Sequence, residues 1–311
     1  MTAAFTFPGQ GSQAVGMGKE LADNFSQAKA VFDEVDDALG QKLSAIMWEG
    51  PDETITLTEN AQPALMAVSL AVTRVLQEEK GLDLASHAKF VAGHSLGEYS
   101  ALAAAGVFSL ADAARLLKTR GQAMQQAVPV GEGAMAALLG LDFEDADAVA
   151  REAAGGEVCE AANDNAPGQV VVSGSKAAVE RAVEIAKGKG ARRAMLLPVS
   201  APFHCALMQP AADVMADALA GVEMNAPAVP VMANVSAAPL SDPGEIRDSL
   251  VKQVTGMVRW RECVGAMSEA GVTQLYELGA GKVLSGLARR INRDLGATPV
   301  GTSDDIAAVS F

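Results

Sequence analysis

Aromatic residues and cysteines are scarce in this chain. Phe, Trp and Tyr make up 4% of the 311 residues, so the cores must be built mainly from aliphatic side chains. The three cysteines, Cys159, Cys205 and Cys263, lie far apart and lack metal-ligand spacing, so no metal site is expected. Their odd, sparse number points to a reducing compartment. No run approaches the ~18 consecutive apolar residues of a membrane helix. The opening MTAAFTFPGQG has no basic segment, and its apolar stretch is too short for a signal peptide. A cytoplasmic protein without a membrane segment is expected. Positive charge is also short: 24 Lys and Arg stand against 38 Asp and Glu, a net charge of −14. That argues against nucleic-acid binding, which needs a basic surface to neutralise phosphates. Two local basic clusters remain, Lys187, Lys189, Arg192 and Arg193, then Arg289, Arg290 and Arg293. Each reads as a solvated helix end or as a docking patch. Half of the residues are hydrophobic, enough for one large domain or a large domain carrying a smaller one.

The order of predicted elements separates two patterns. A first strand, AFTF, runs into the glycine turn PGQG. Helical spacing of Leu65, Val68, Val72, Val75 and Leu76 predicts a helix over 60–79, with Pro63 in its first turn. A short buried strand over 89–92 leads into GHSLG and an alanine-rich helix to about 105. Ser109, with Asp112 three residues on, marks the start of the next helix, which runs to about 128. Then the pattern changes: strand 133–141, helix 143–154, strands 157–162 and 169–173, helix 176–187, strand 192–199. This βαββαβ order matches a ferredoxin-like unit. The expected architecture is α/β, with residues 1–130 and 200–311 forming the large domain and 131–199 a small one inserted into it. The large domain resumes with a strand at 230–233, a helix over 242–255, a strand at 274–277 and a helix over 281–292.

Gly93-His94-Ser95-Leu96-Gly97 lies between a predicted strand and a predicted helix, the context of a nucleophile elbow. So sharp a turn leaves no room for side chains at Gly93 and Gly97. It holds Ser95 at a helix N-terminus, where free N–H groups favour developing negative charge. The Leu96 amide is the natural oxyanion donor. The base follows by elimination among three histidines. His94 should project away from the Ser95 hydroxyl, and His87 lies in a polar loop. His204, in VSAPFH, remains as general base and acid. No carboxylate presents itself as a third member; Asp213 is the nearest acid after His204. A dyad is expected, its ring oriented by a backbone carbonyl or an amide side chain. In the helix that ends near 128, Arg120 shares a stripe with Leu110, Ala113, Leu117, Met124 and Val128. A buried guanidinium needs an anion. It pairs with an internal Asp or Glu, awaits a substrate carboxylate, or rotates to the rim.

Ser95, His204 and Arg120 together resemble the malonyl-CoA:acyl carrier protein transacylases, and the likeness covers nearly the whole chain. It includes FPGQGSQ (7–13), GHSLGEYSA (93–101), TRGQAMQ (119–125), NDNAPGQVVVSG (163–174), APFH (201–204), ANVSA (233–237), VRW (258–260) and ELGAGKVLSGL (277–287). The resemblance implies an α/β-hydrolase-like large domain with a ferredoxin-like small one. It implies a ping-pong transfer of malonyl from malonyl-CoA through Ser95 to the phosphopantetheine thiol of acyl carrier protein, in fatty-acid biosynthesis. Coenzyme A would serve only as part of the thioester substrate, with no bound cofactor. The amides of Gln10 and Leu96 would hold the oxyanion, Arg120 the malonyl carboxylate, and Gln253 would orient the histidine. Phe203 is similar to malonyl-selective members. Ala201 departs from the family's glycine, and Thr255-Gly256-Met257 from its usual loop. A polyketide-pathway acyltransferase acting in trans is the alternative. A serine esterase or thioesterase fits less well, because its histidine normally comes late in the chain after an acid. An inactive carrier or scaffold subunit would not need all three residues. A monomer is expected, since no apolar patch is evident beyond the cores.

Overall fold

Ten strands alternate with helices over residues 2–311, which the computed structural model describes. In chain order they are β1 (Ala3–Phe7), β2 (Ala88–Gly93), β3 (Gly133–Leu139), β4 (Cys159–Ala166), β5 (Gln169–Ser175), β6 (Arg193–Leu196), β7 (Val231–Met232), β8 (Pro239–Leu240), β9 (Gln274–Leu278) and β10 (Gly296–Val300). They form two sheets, a six-stranded one of order β10-β9-β1-β2-β7-β8 and a four-stranded one of order β4-β5-β3-β6. In the first, all neighbours run parallel except β7 and β8. The second is antiparallel throughout. β1 and β2 are the central parallel pair of the first sheet, apolar and almost fully buried, as strands covered on both faces must be.

The helix Thr58–Lys80 explains why one face of the large sheet is covered. It is apolar nearly all round, with seventeen buried residues between Thr58 and Leu76. It packs with the helices Ser26–Leu39 and Leu110–Gln126 into the main core, while Trp260, Val264, Leu284 and Leu287 cover the other face. The small sheet has its own core of Ala, Val and Leu, beneath helices Phe143–Ala154 and Lys176–Gly188. Cores poor in aromatics are the expected result.

Several bounds differ from those read in the sequence. The last strand of the small sheet is cut to Arg193–Leu196: Leu197 N–H still donates to Met135 O (2.9 Å), but the chain then turns and Leu197 O accepts from Val199 N–H (2.9 Å). β4 begins later and runs longer than expected, with irregular register between Ala161 and Asn163 and between Asp164 and Ala166. That stretch stays paired with β5 and also meets the large body. Val258 N–H donates to Ala162 O (2.9 Å), and Asp164 N–H to Val258 O (3.0 Å). Arg261 Nε and Nη2 clamp the buried Asp164 carboxylate (2.9 and 2.7 Å). Four helices between Lys19 and Thr56 were missing from the sequence-based order. The signal for one was present: Ala28, Val31, Phe32 and Val35 recur at helical spacing and are buried.

Candidate active site

The elbow sits where β2 ends. Ser95 has φ 54° and ψ −113° and caps the helix Leu96–Ala104. A non-glycine residue at positive φ is strained, and such strain persists only where the surroundings enforce it. A Cβ on Gly93 would run into the Gly97 carbonyl, and one on Gly97 into the carbonyl oxygen of Phe7. Asn234, in the turn after β7, holds the elbow from both sides. Its Nδ2 donates to Gly93 O (2.7 Å), and its Oδ1 accepts from Ser95 N–H (2.8 Å).

His204 reaches Ser95 from the loop following the small sheet. Its Nε2 lies 2.8 Å from Ser95 Oγ. Its Nδ1 faces two carbonyl oxygens, Gln253 O at 2.8 Å and Gly256 O at 3.1 Å. Carbonyls only accept, so Nδ1 carries the proton and the Nε2 lone pair faces the serine hydroxyl. Gln253 lies in the last turn of the helix Pro243–Thr255, where carbonyls lack intrahelical partners and carry the negative end of the dipole. Gln253 therefore orients the ring through its main chain, with Gly256 of the unusual Thr255-Gly256-Met257 loop beside it. Asp213 is engaged elsewhere, accepting from Gln209. His94 bonds Asn165 through Nε2 (2.8 Å), and His87 bonds within its own turn at Asp83.

Arg120 is 1% exposed, so the rim position does not occur. Among the described residues it has no carboxylate partner within ion-pair distance. Nη1 donates to Gln62 Oε1 (2.7 Å); Nη2 donates to Gln253 Oε1 (2.9 Å) and lies 3.2 Å from Ser95 Oγ. The guanidinium lies 5.7 Å from the Tyr99 ring centroid, and its Nε has no partner. A buried cation held only by neutral acceptors is an open anion site beside a serine hydroxyl. Phe203 and Ala201 are buried next to His204.

The turn after β1 carries Gln10 to the same end of the sheet. The backbone of Gly9 packs against His94, and His94 N–H donates to Phe7 O (3.1 Å). Neither Gln10 N–H nor Leu96 N–H donates to an acceptor among the described residues. Gln62, Glu98 and Asn234 are site residues to which the sequence reading assigned no role. Glu98 had a signal: it is a lone charge in the first turn of an otherwise apolar helix, three residues after Ser95. No group of three or more His, Cys, Asp or Glu among the described residues is placed to hold a metal ion.

Burial, and next the charge of Arg120, pushes His204 down to about 3. Burial raises Glu98 to about 7. The imidazole is thus neutral at neutral pH, with its Nε2 lone pair free. The same shift acts on stability. Below its ordinary ~6.5 the unfolded chain binds a proton at this histidine that the folded chain refuses, so stability is lost as pH falls from there towards 3. Glu98 acts oppositely, since the folded chain takes its proton first. Comparison with His204→Gln cancels that contribution. Urea midpoints measured from pH 7 to pH 4 are expected to fall more steeply for wild type than for His204→Gln.

The chain matches known proteins in sequence and shape. The acyl transferase domain model matches residues 4–277. The malonyl CoA-acyl carrier protein transacylase of Escherichia coli (strain K12) is 48% identical over 305 residues, 98% of this chain and 97% of that protein. The chain belongs to the malonyl CoA-acyl carrier protein transacylase family. Among solved transacylase structures, the acyl-carrier-protein S-malonyltransferase of Bartonella henselae is 61% identical with a TM-score of 0.97, covering 99% of this chain and 98% of that one. A malonyl-transacylase solved in complex with a type II PKS acyl-carrier protein is 46% identical with a TM-score of 0.95, covering 99% and 98%. No helix among the described residues of this transacylase-family chain is long and apolar enough to cross a membrane.

Proposed function

We propose that this chain moves malonyl from malonyl-CoA to the phosphopantetheine thiol of an acyl carrier protein, through an ester on Ser95, in cytoplasmic fatty-acid synthesis. The observation that carries the reading is Arg120, a buried cation without a carboxylate, 3.2 Å from Ser95 Oγ. Ser95 gives its proton to His204 Nε2 as its oxygen attacks the thioester carbonyl. The N–H groups of Gln10 and Leu96 hold the oxyanion; one such donor is worth about 10²–10³ in rate. The intermediate collapses, the C–S bond breaks, and the departing thiolate takes the proton from His204. The carrier thiol then yields its proton to His204 and attacks the ester, and Ser95 leaves with that proton. Arg120 holds the malonyl carboxylate through both steps. The turnover needs no bound cofactor.

The βαββαβ order and the sheet order β4-β5-β3-β6 support reading 131–199 as a ferredoxin-like domain. The elbow at the end of a central parallel strand supports an α/β-hydrolase-like domain in 1–130 and 200–311. Exposed large apolar side chains are scattered, as befits a monomer. A polyketide carrier is a second reading, favoured by the likeness to the transacylase in complex with a type II PKS carrier.

Intact-protein mass spectrometry after mixing with malonyl-CoA tests the reading. One malonyl group on the peptide carrying Ser95, discharged by holo carrier protein, is expected. Free coenzyme A accumulating without an adduct or carrier would mean hydrolysis. Fatty-acid and polyketide carriers offered in competition separate the two pathways.

The two basic clusters differ as docking surfaces. Lys187 and Lys189 pair with Glu184 and Glu152 (2.7 Å each), while Arg192 and Arg193 have no ion pair among the described residues. Arg289 and Arg290 donate only to a carbonyl and to the Gln169 amide, and Arg293 has no ion pair among the described residues. An acidic carrier is expected to dock at the second cluster. Arg289→Glu with Arg290→Glu should raise the carrier KM on the order of tenfold or more while leaving that for malonyl-CoA near wild type. Lys189→Glu with Arg193→Glu should do less; the reverse order would move the dock to the small sheet.

A further inference from the structure

Glu98 is a carboxylate that acyl transfer does not use, yet it is 2% exposed and lies one helical turn from Ser95. No cation lies within ion-pair distance of it among the described residues. One oxygen, Oε2, accepts from Asn234 N–H at 3.0 Å and from Gln253 Nε2 at 2.8 Å. Burying a charge without a cation is costly, so a gain elsewhere is expected.

The gain lies in the Gln253 side chain. An amide has one donor end and one acceptor end, and only its surroundings decide which way it points. Here both hydrogens of Nε2 are taken, one by Ser95 O (3.0 Å) and one by Glu98. Oε1 is left facing Arg120 Nη2. A flipped amide would set Nε2 against the guanidinium and Oε1 against a carbonyl and a carboxylate, with repulsion at both ends. The Ser95 carbonyl opposes that flip, and so does Glu98 Oε2, whose acceptor face is fixed by the Asn234 N–H. The same oxygen holds the Asn234 backbone, whose side chain straddles the elbow.

We propose that Glu98 is a positioning residue of the acyl-transfer site: it fixes the Gln253 amide in the one orientation that presents Oε1 to Arg120, and so aims the guanidinium at the acyl group on Ser95. The inference rests on the reading of Arg120 as the malonyl clamp.

Two near-isosteric variants separate positioning from charge. Glu98→Gln keeps an acceptor at the same reach and loses the charge. Glu98→Asp keeps the charge and draws the acceptor back by a methylene. Acylation rates with malonyl-CoA and acetyl-CoA are measured by intact mass, with circular dichroism to establish folding. Glu98→Asp should lower the malonyl-over-acetyl ratio about 10-fold or more, as expected for a displacement of roughly an ångström at a reacting centre. Glu98→Gln should keep most of the ratio. The reverse order, or an equal fall with both donors, overturns the proposal. Should Glu98→Asp fail to fold, Glu98→Gln decides: a kept ratio supports positioning and a lost one overturns it. A wild type that takes up neither acyl group overturns malonyl transfer and this inference with it. An acylated wild type with an unchanged ratio in Glu98→Asp overturns the inference alone.

Discussion

Ser95→Ala is expected to take up no malonyl group and to pass none to a carrier protein, while folding as wild type does. The substitution removes only the Oγ that bonds His204 and faces Arg120. Alanine accepts the elbow no worse than serine, since both carry a Cβ at the same positive φ. His204→Ala should keep the hydroxyl but acylate about 10²–10⁴ times more slowly, the usual worth of a positioned general base. Burst-phase release of coenzyme A, followed in a stopped-flow instrument, reads both variants. A Ser95→Ala protein that still forms an acyl adduct would put the nucleophile elsewhere.

Arg120→Ala is expected to exchange one acyl preference for another. Acylation by malonyl-CoA should fall on the order of 10²–10⁴-fold, the loss of two charge-assisted hydrogen bonds at about 1.5–3 kcal/mol each. Acetyl-CoA, with no carboxylate to place, should acylate as fast as before or faster, since it no longer leaves a buried cation unpaired. Arg120→Lys should not restore malonyl. A single ammonium cannot span Gln62 Oε1 and Gln253 Oε1 and still present a fork to a carboxylate. Parallel rates with both donors, measured by intact mass, check the exchange. An equal loss with malonyl and acetyl would give Arg120 a structural role instead.

Much of the site could be read from local sequence, because its strongest constraints are local. Gly93 and Gly97 have no room for a side chain, and that need is written as Gly-x-Ser-x-Gly in five consecutive residues. His204 could be found because the chain has few histidines. Its orienting group stayed open between a backbone carbonyl and an amide side chain, because a main-chain carbonyl leaves no mark in a sequence. The resemblance located Gln253 as the residue beside the ring without saying which part of it faces the histidine; its main-chain carbonyl does. The amide serves Arg120, Ser95 and Glu98 instead. Glu98 and Asn234 lay inside motifs that carried the resemblance, yet their partners sit 136 residues apart in sequence.

The sequence by itself determined many of the elements: apolar strands where β-branched and small residues run together, helices where apolar residues recur at three and four, and a forced turn at Ser95. These follow from sterics and burial within a few residues of one another. Only the tertiary structure decided what those elements do together. The large sheet brings the turns after β1, β2 and β7 to one end, and packing adds the helices that carry Gln62, Arg120 and Gln253. Whether Arg120 met a carboxylate or was left open depended on which side chains arrived there. Neutral amides did, and Glu98 reaches Arg120 only through the Gln253 amide, so the buried guanidinium has no anion in direct contact.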